Sequence, residues 1–172
     1  MSKDYDSILK ILEGGTIEQF QELAGLVAAF PDGIDDCLQR RWIINAIDCG
    51  SMLSIAWMLS RKVDLEFCDD EGYTPLLSAL ECRRPEDRYE VLELLLKHGA
   101  PTDVHGINDW TPAHMAAVRN DVRALAMLLA YGANLDIRTR IDSYATPLEE
   151  ARLHQGTNDA VRFLESLPGR SA

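Results

Sequence analysis

One unit constrains this chain more than any other feature. It reads Asn108-Asp109-Trp110-Thr111-Pro112-Ala113-His114-Met115-Ala116-Ala117 and then, after a break, Leu125-Ala126-Met127-Leu128-Leu129-Ala130-Tyr131-Gly132-Ala133. A threonine hydroxyl can accept from the free amides of a first helical turn, and a proline at the first helical position loses no hydrogen bond. Thr111-Pro112 therefore predicts a helix start. Ala116 and Ala117 give that helix a thin face for close approach, while Leu125, Leu128 and Leu129 recur at helical spacing. Gly132 can take the left-handed conformation that closes a helix. One such pair cannot bury its own apolar faces, so neighbours of the same kind are required.

The chain supplies them. After the turn Asp69-Asp70-Glu71-Gly72-Tyr73, Thr74-Pro75-Leu76-Leu77-Ser78-Ala79-Leu80 opens a unit that continues through Val91 to Leu96 and closes at Gly99-Ala100. Thr146-Pro147-Leu148-Glu149-Glu150-Ala151 opens another, with its second helix predicted from Ala160 to Leu167. Residues 36–65 carry the unit without its Thr-Pro, as Trp42 to Ile47, a break at Gly50, and Leu53 to Leu59; an irregular turn is expected in front of it. Residues 5–13 predict a helix stopped by Gly14-Gly15, and Thr16-Ile17-Glu18-Gln19 reads as a capping box opening a second helix that Phe30-Pro31-Asp32-Gly33 should end. Aligned on Ala46, Ala79, Ala116 and Ala151, the spacings are 33, 37 and 35. The longer ones contain the insertion Arg83-Arg84-Pro85-Glu86 and an extended turn from Arg138 to Ala145, leaving a period of about 33 residues.

With these residues in register, the chain resembles the ankyrin-repeat family. The pattern Gly-x-Thr-Pro-Leu-x-x-Ala followed by Leu-Leu-x-x-Gly-Ala stands here as Gly72 to Ala79 with Leu95-Leu96-Lys97-His98-Gly99-Ala100, and again as Trp110 to Ala117 with Leu128 to Ala133. The resemblance implies an all-α ankyrin-repeat solenoid of about five stacked helix-turn-helix pairs joined by hairpin-like fingers. It implies one domain over 1–172, with a divergent N-terminal capping repeat at 1–35, repeats at 36–68, 69–105 and 106–140, and a C-terminal capping repeat at 141–172. End repeats meet water on one face, which suits the charges of Arg152, Arg162 and Glu165. The resemblance also implies that His114 is a buried hydrogen-bonding histidine. Leu77 and Glu149 stand at the same place in the neighbouring units, where Thr146 and Glu149 can form a capping box instead.

Composition narrows the function classes. With 47% hydrophobic and 26% charged residues the chain reads as a folded soluble protein rather than a disordered one. Its longest apolar run, Leu23 to Phe30, is too short for a bilayer, and its first residues lack a signal-peptide core, so a cytoplasmic location is expected. Cys37, Cys49, Cys68 and Cys82 lack zinc-like spacing and read as reduced thiols. The net charge is −11, and residues 1–86 hold 8 Lys+Arg against 16 Asp+Glu where residues 87–172 hold 9 against 12. Nucleic acid and anionic membranes would be repelled, so the expected partner is another protein with a basic surface. No metal or cofactor is expected: Asp69-Asp70-Glu71 lacks the alternation of a calcium loop, and there is neither a phosphate cradle nor a Gly-x-Ser-x-Gly elbow. His98, His105, His114 and His154 stand apart from any nucleophile, and the chain reads as non-enzymatic.

In ankyrin-like arrays the surface used for binding is the concave side, made of finger tips and the exposed faces of the first helices. Carried onto this sequence, the resemblance implies a partner-binding set of Asp70, Glu71, Tyr73, Ile107, Asn108, Trp110, Asp142 and Tyr144 from the fingers, with Glu81, Arg119 and His154 from the first helices. Arg40 and Asp48 are the corresponding residues where the Thr-Pro is missing. Tyr73 and Trp110 share one place, immediately before Thr-Pro, with Tyr144 one residue earlier in the next unit, predicting an aromatic edge beside acidic residues. A capped array is expected to be a monomer. Its small size and acidity suit an inhibitor or immunity protein that neutralises a basic enzyme or toxin, with a general adaptor or scaffold as the alternative.

Overall fold

A computed structural model describes residues 4–82, 84–141 and 143–168 of the chain. Among these, ten α-helices form five consecutive pairs: α1 Tyr5–Gly14 and α2 Ile17–Leu26, α3 Trp42–Cys49 and α4 Met52–Ser60, α5 Pro75–Leu80 and α6 Arg88–Lys97, α7 Pro112–Val118 and α8 Val122–Ala130, α9 Pro147–Leu153 and α10 Asn158–Ser166. The Thr-Pro pairs start α5, α7 and α9 as predicted. Capping boxes join Thr16 to Gln19 and Thr146 to Glu149. Elsewhere Asp4, Ser51 and Asp121 accept from first-turn amides and start α1, α4 and α8.

The pairs stack in two layers. Each first helix packs on the next along α1, α3, α5, α7 and α9, and each second helix does the same along α2, α4, α6, α8 and α10. Small residues permit this in the first layer: Ala46, Ala79, Ala113, Ala116, Ala117 and Ala151 are fully buried. Leucines fill the space between layers, with Leu92, Leu95, Leu125, Leu128 and Leu164 inaccessible. The arrangement is the helical repeat solenoid that the sequence implies.

The N-terminal pairs use a different filling. α2 ends at Leu26, four residues before the predicted stop at Phe30. The chain then turns so that Phe30, 6% exposed, sits between Trp42 at 5.6 Å and Trp57 at 5.9 Å, with Phe20 against Trp57 at 5.6 Å. Continuing the helix would have kept Phe30 from this aromatic cluster, and its burial outweighs one more helical turn.

Four fingers join the pairs: Ile34 to Arg41, Asp69 to Tyr73, Gly106 to Trp110, and Thr139 to Ala145. The first finger is not irregular, contrary to expectation. Ile34 and Arg41 form an antiparallel bridge, and the Asp35 carboxylate, 1% exposed, accepts from the amides of Cys37 (2.8 Å) and Arg40 (3.2 Å) and from Asn45 Nδ2 (2.8 Å). Burial opposes the Asp35 charge, but its hydrogen bonds with Asn45, Leu38, Cys37 and Arg40 prevail and hold its pKa below the usual carboxylate value. A buried, fully bonded aspartate thus replaces the missing Thr-Pro. The second finger uses Asp69 similarly, accepting from Tyr73 N at 2.7 Å and Glu71 N at 3.1 Å. Successive fingers are also stitched together, Ile107 N donating to Gly72 O at 2.6 Å. In the insertion between α5 and α6, Arg84 donates to the Gly50 carbonyl of the preceding repeat and pairs with Asp87 at 3.3 Å; Arg83 lies outside the described residues.

Candidate functional site

Fingers and first helices share one side of the stack, and side chains tie them together at a repeating register. Arg40, before the first residue of α3, pairs with Asp48 near its end at 2.8 Å. One repeat on, Tyr73 donates its hydroxyl to Glu81 Oε2 at 2.7 Å, and Glu81 Oε1 receives Arg119 from the end of α7 at 2.6 Å. One repeat further, the Trp110 ring lies 5.9 Å from His154, edge to face, at the end of α9. Arg40 and Tyr73 each reach from two residues before a first helix to the end of that same helix, whereas Trp110, at the same place before α7, reaches the end of α9 in the next repeat.

Electrostatics fix these groups. Burial works against the charge of Arg40, yet the Asp48 bond and the Asp48, Asp69 and Glu71 charges outweigh it and raise its pKa. The Glu81 bond, together with burial and the Glu81 and Glu71 charges, pushes the Tyr73 phenol up to about 12. A bond from the Arg140 guanidinium holds Asp109 low despite its burial, and Arg140 N also donates to that carboxylate, clamping the third finger to the fourth. His114 is wholly buried. A backbone amide can only donate, so the 3.2 Å bond from Thr111 N makes His114 Nδ1 an acceptor, and the ring proton is on Nε2, which donates to Ala145 O at 2.9 Å. Burial, the dominant cause, pushes its pKa down.

The predicted binding residues divide into three groups. Tyr73, Glu81, Arg119, Trp110 and His154 are brought together in the row just described. Asp70, Glu71 and Asn108 are exposed at finger tips, with Ile107 half-buried against the core. Tyr144, 63% exposed, stands apart from the two other rings beside exposed Ile141, while Asp142 lies outside the described residues. The predicted aromatic edge is therefore not one stack of rings: Tyr73 and Trp110 each turn onto a first helix. Sequence reasoning missed Ser78, Asp109 and Arg140. Asp109 had a signal, since it lies two residues before a Thr-Pro, but its burial depends on the following finger. His98 and His105 bond to carbonyls, of Leu94 at 2.9 Å and Arg138 at 3.1 Å. Among the described residues no helix is long and apolar enough to cross a membrane.

Comparison with known proteins agrees with this architecture. The family pattern described as "Ankyrin repeats (many copies)" matches residues 81–129. The chain is 38% identical over 104 residues, 59% of its own length and 26% of the other's, to "Putative E3 ubiquitin-protein ligase XBAT34" of Arabidopsis thaliana. It is 31% identical over 83 residues, 47% of its length and 24% of the other's, to "Putative ankyrin repeat protein" of Rickettsia bellii. It is 30% identical over 109 residues, 63% of its length and 18% of the other's, to "Ankyrin repeat protein OPG189" of Variola virus. The chain thus spans about a quarter or less of the length of these relatives, which it matches through their repeats. Such repeats are protein–protein interaction modules and typically non-catalytic. The register of the helix pairs, the fingers and these matches support one reading: the chain is built of ankyrin repeats.

Proposed function

We propose that this chain is a non-enzymatic binding module, a single domain over residues 1–172, that holds a partner protein against the face made by its fingers and first helices. The observation carrying this reading is the row Arg40–Asp48 and Tyr73–Glu81, each within its repeat, with Glu81–Arg119 and Trp110–His154 reaching into the next repeat along the same face. Aromatic rings and guanidinium groups already held in place lose little freedom on binding, and such groups dominate interface energies. Asp70 and Glu71, exposed at a finger tip in a chain of net charge −11, would steer a basic partner toward this face. In its finer form the reading is of a cytoplasmic monomer that neutralises a basic enzyme or toxin, as an inhibitor or immunity protein does. An adaptor role is the alternative, favoured by relatives in which the matched repeats are a minor share of a longer protein.

The test is affinity capture from native cells across a salt series, with identified partners then measured against purified variants. Wild type and Glu93→Gln, an exposed residue of α6 paired with Lys97, should hold the partner alike. Trp110→Ala with Arg119→Ala should lose it, and affinity should fall as salt rises. Unchanged affinity of that double variant would sink the concave-face reading. A partner enzyme whose turnover stops on binding separates inhibitor from adaptor.

A further inference from the structure

Between the first and second fingers lies an open cleft of about 320 Å³. Leu38 and Arg40 bound it on one side, Glu71 and Tyr73 on the other, with Asp48 and Glu81 from α3 and α5 behind. Ser78, on α5, is part of its lining. That serine is 3% exposed and its Oγ has no hydrogen-bond partner among the described residues, although a helical serine can usually satisfy itself on a carbonyl of the preceding turn. A buried hydroxyl left unpaired costs stability, so it is a group awaiting a partner.

The lining is also unbalanced in charge. Three carboxylates, Asp48, Glu71 and Glu81, face one guanidinium, that of Arg40. Among the described residues the Arg40 guanidinium engages Asp48 through Oδ2 alone, and the Glu71 carboxylate makes no ion pair. Tyr73 and Arg119 hold Glu81 in place. The cleft therefore offers acceptors on three sides, and the exposed Leu38 side chain supplies an apolar wall.

Resting on the reading of this face as the binding surface, we propose that the cleft is a subsite for an arginine side chain of the partner protein. Its guanidinium would donate to the Ser78 hydroxyl and to the Glu71 and Asp48 carboxylates, with its methylenes along Leu38. A planar group with five diverging donors and weak hydration fits separated acceptors better than an ammonium, which is compact and strongly hydrated. An anionic side chain would meet the carboxylates and is excluded on charge.

The experiment titrates the full isotope-labelled chain with acetyl-Gly-Arg-Gly-amide and follows backbone amide resonances, with the lysine, glutamate and citrulline tripeptides in parallel. Only the arginine peptide should give strong saturable shifts at Tyr73, Ser78 and Glu81. Ser78→Ala should weaken it about tenfold, the expected effect of losing one hydrogen bond to a charged group. The same variant should unfold in urea at a midpoint no lower than wild type, which separates a lost acceptor from a lost fold. Glu71→Gln should also weaken the peptide, most at low salt. No saturable shift in the cleft, equal binding of the citrulline or lysine peptide, or full affinity in Ser78→Ala overturns the proposal. With a whole partner in hand, loss of affinity in the Trp110→Ala and Arg119→Ala double variant but not in Ser78→Ala or Glu71→Gln removes the subsite and leaves the binding face standing. Indifference to all of them removes the face itself.

Discussion

The third and fourth repeats begin with the same Thr-Pro pair, yet hold the finger that follows them in different ways. In the third, Leu77 stands three residues after Thr74 and is fully buried, and the next finger closes on it through Gly106. A side chain at Gly106 would overlap both Leu77 Cδ1 and the Gly72 carbonyl oxygen, so glycine is needed for the approach. In the fourth, His114 stands at the same place and ties the next finger by donating to the Ala145 carbonyl. One junction depends on contact and shape, the other on a buried hydrogen bond. What remains outward differs accordingly: the third repeat keeps its polar contacts, Tyr73–Glu81–Arg119, at the surface where a partner can reach them.

The comparison makes its strongest demand at His114. His114→Ala removes a wholly buried ring and leaves the Thr111 amide and hydroxyl without their acceptor, while the Ala145 carbonyl keeps only its bond from Thr139 N. Cavity and orphaned polar groups together should cost about 2–4 kcal/mol in urea unfolding. Gly106→Ala should come next, at about 1–3 kcal/mol, because the neighbour it strikes includes backbone that cannot move aside. A Gly106→Ala variant as stable as wild type would mean that the two fingers are not closely packed, and the contrast between the junctions would collapse.

Much of this contrast was legible in the residues. Thr-Pro, the capping boxes and the closing glycines are local devices, complete within a few residues, and α5, α7 and α9 start where they say. The place of His114 against Leu77 could be read from register alone, as could the positions of Tyr73 and Trp110. The first finger could not, because an aspartate that serves nearby amides looks like any acidic loop residue until Asn45 covers it from α3. Phe30 was misread as a stop for the same reason: its partners Trp42 and Trp57 belong to the next pair. On the face of fingers and first helices, register placed the residues but not their pairing. The Glu81–Arg119 contact spans two repeats and depends on how closely α5 and α7 approach, and nothing in the sequence distinguishes Ser78 from a solvated helical serine.

A smaller effect separates the junctions by pH. Burial lowers the His114 pKa below its ordinary value of 6.5, so the unfolded chain takes up a proton at this residue more readily than the folded one. Stability should then fall as pH drops below about 6.5, by no more than about 1.4 kcal/mol per pH unit, and level off once the folded-state value is passed. Above that window the residue contributes no slope. His114→Leu copies the third repeat's solution into the fourth, and the difference between wild type and this variant in urea unfolding should narrow on acidification from pH 7.5 to 5.5. A constant difference would show that burial does not lower the His114 pKa.

The least costly break lies at the surface of the third repeat. Tyr73→Phe removes the hydroxyl that donates to Glu81, but Glu81 keeps Arg119 and, being half-buried, gains water in exchange. Solvent screening of such a contact limits the loss to less than about 1 kcal/mol at neutral pH. The phenol titrates at about 12 in the folded chain against 10.0 for the free group, so its contribution is complete below pH 10 and disappears as pH rises between the two values. In an alkaline absorbance titration Tyr73→Phe should therefore remove a late-ionising phenol, while neutral urea curves barely move. If instead Tyr73→Phe cost as much as His114→Ala, the Tyr73–Glu81–Arg119 contact would be holding repeats together. Those groups would then have no freedom to exchange one another for a partner's side chain.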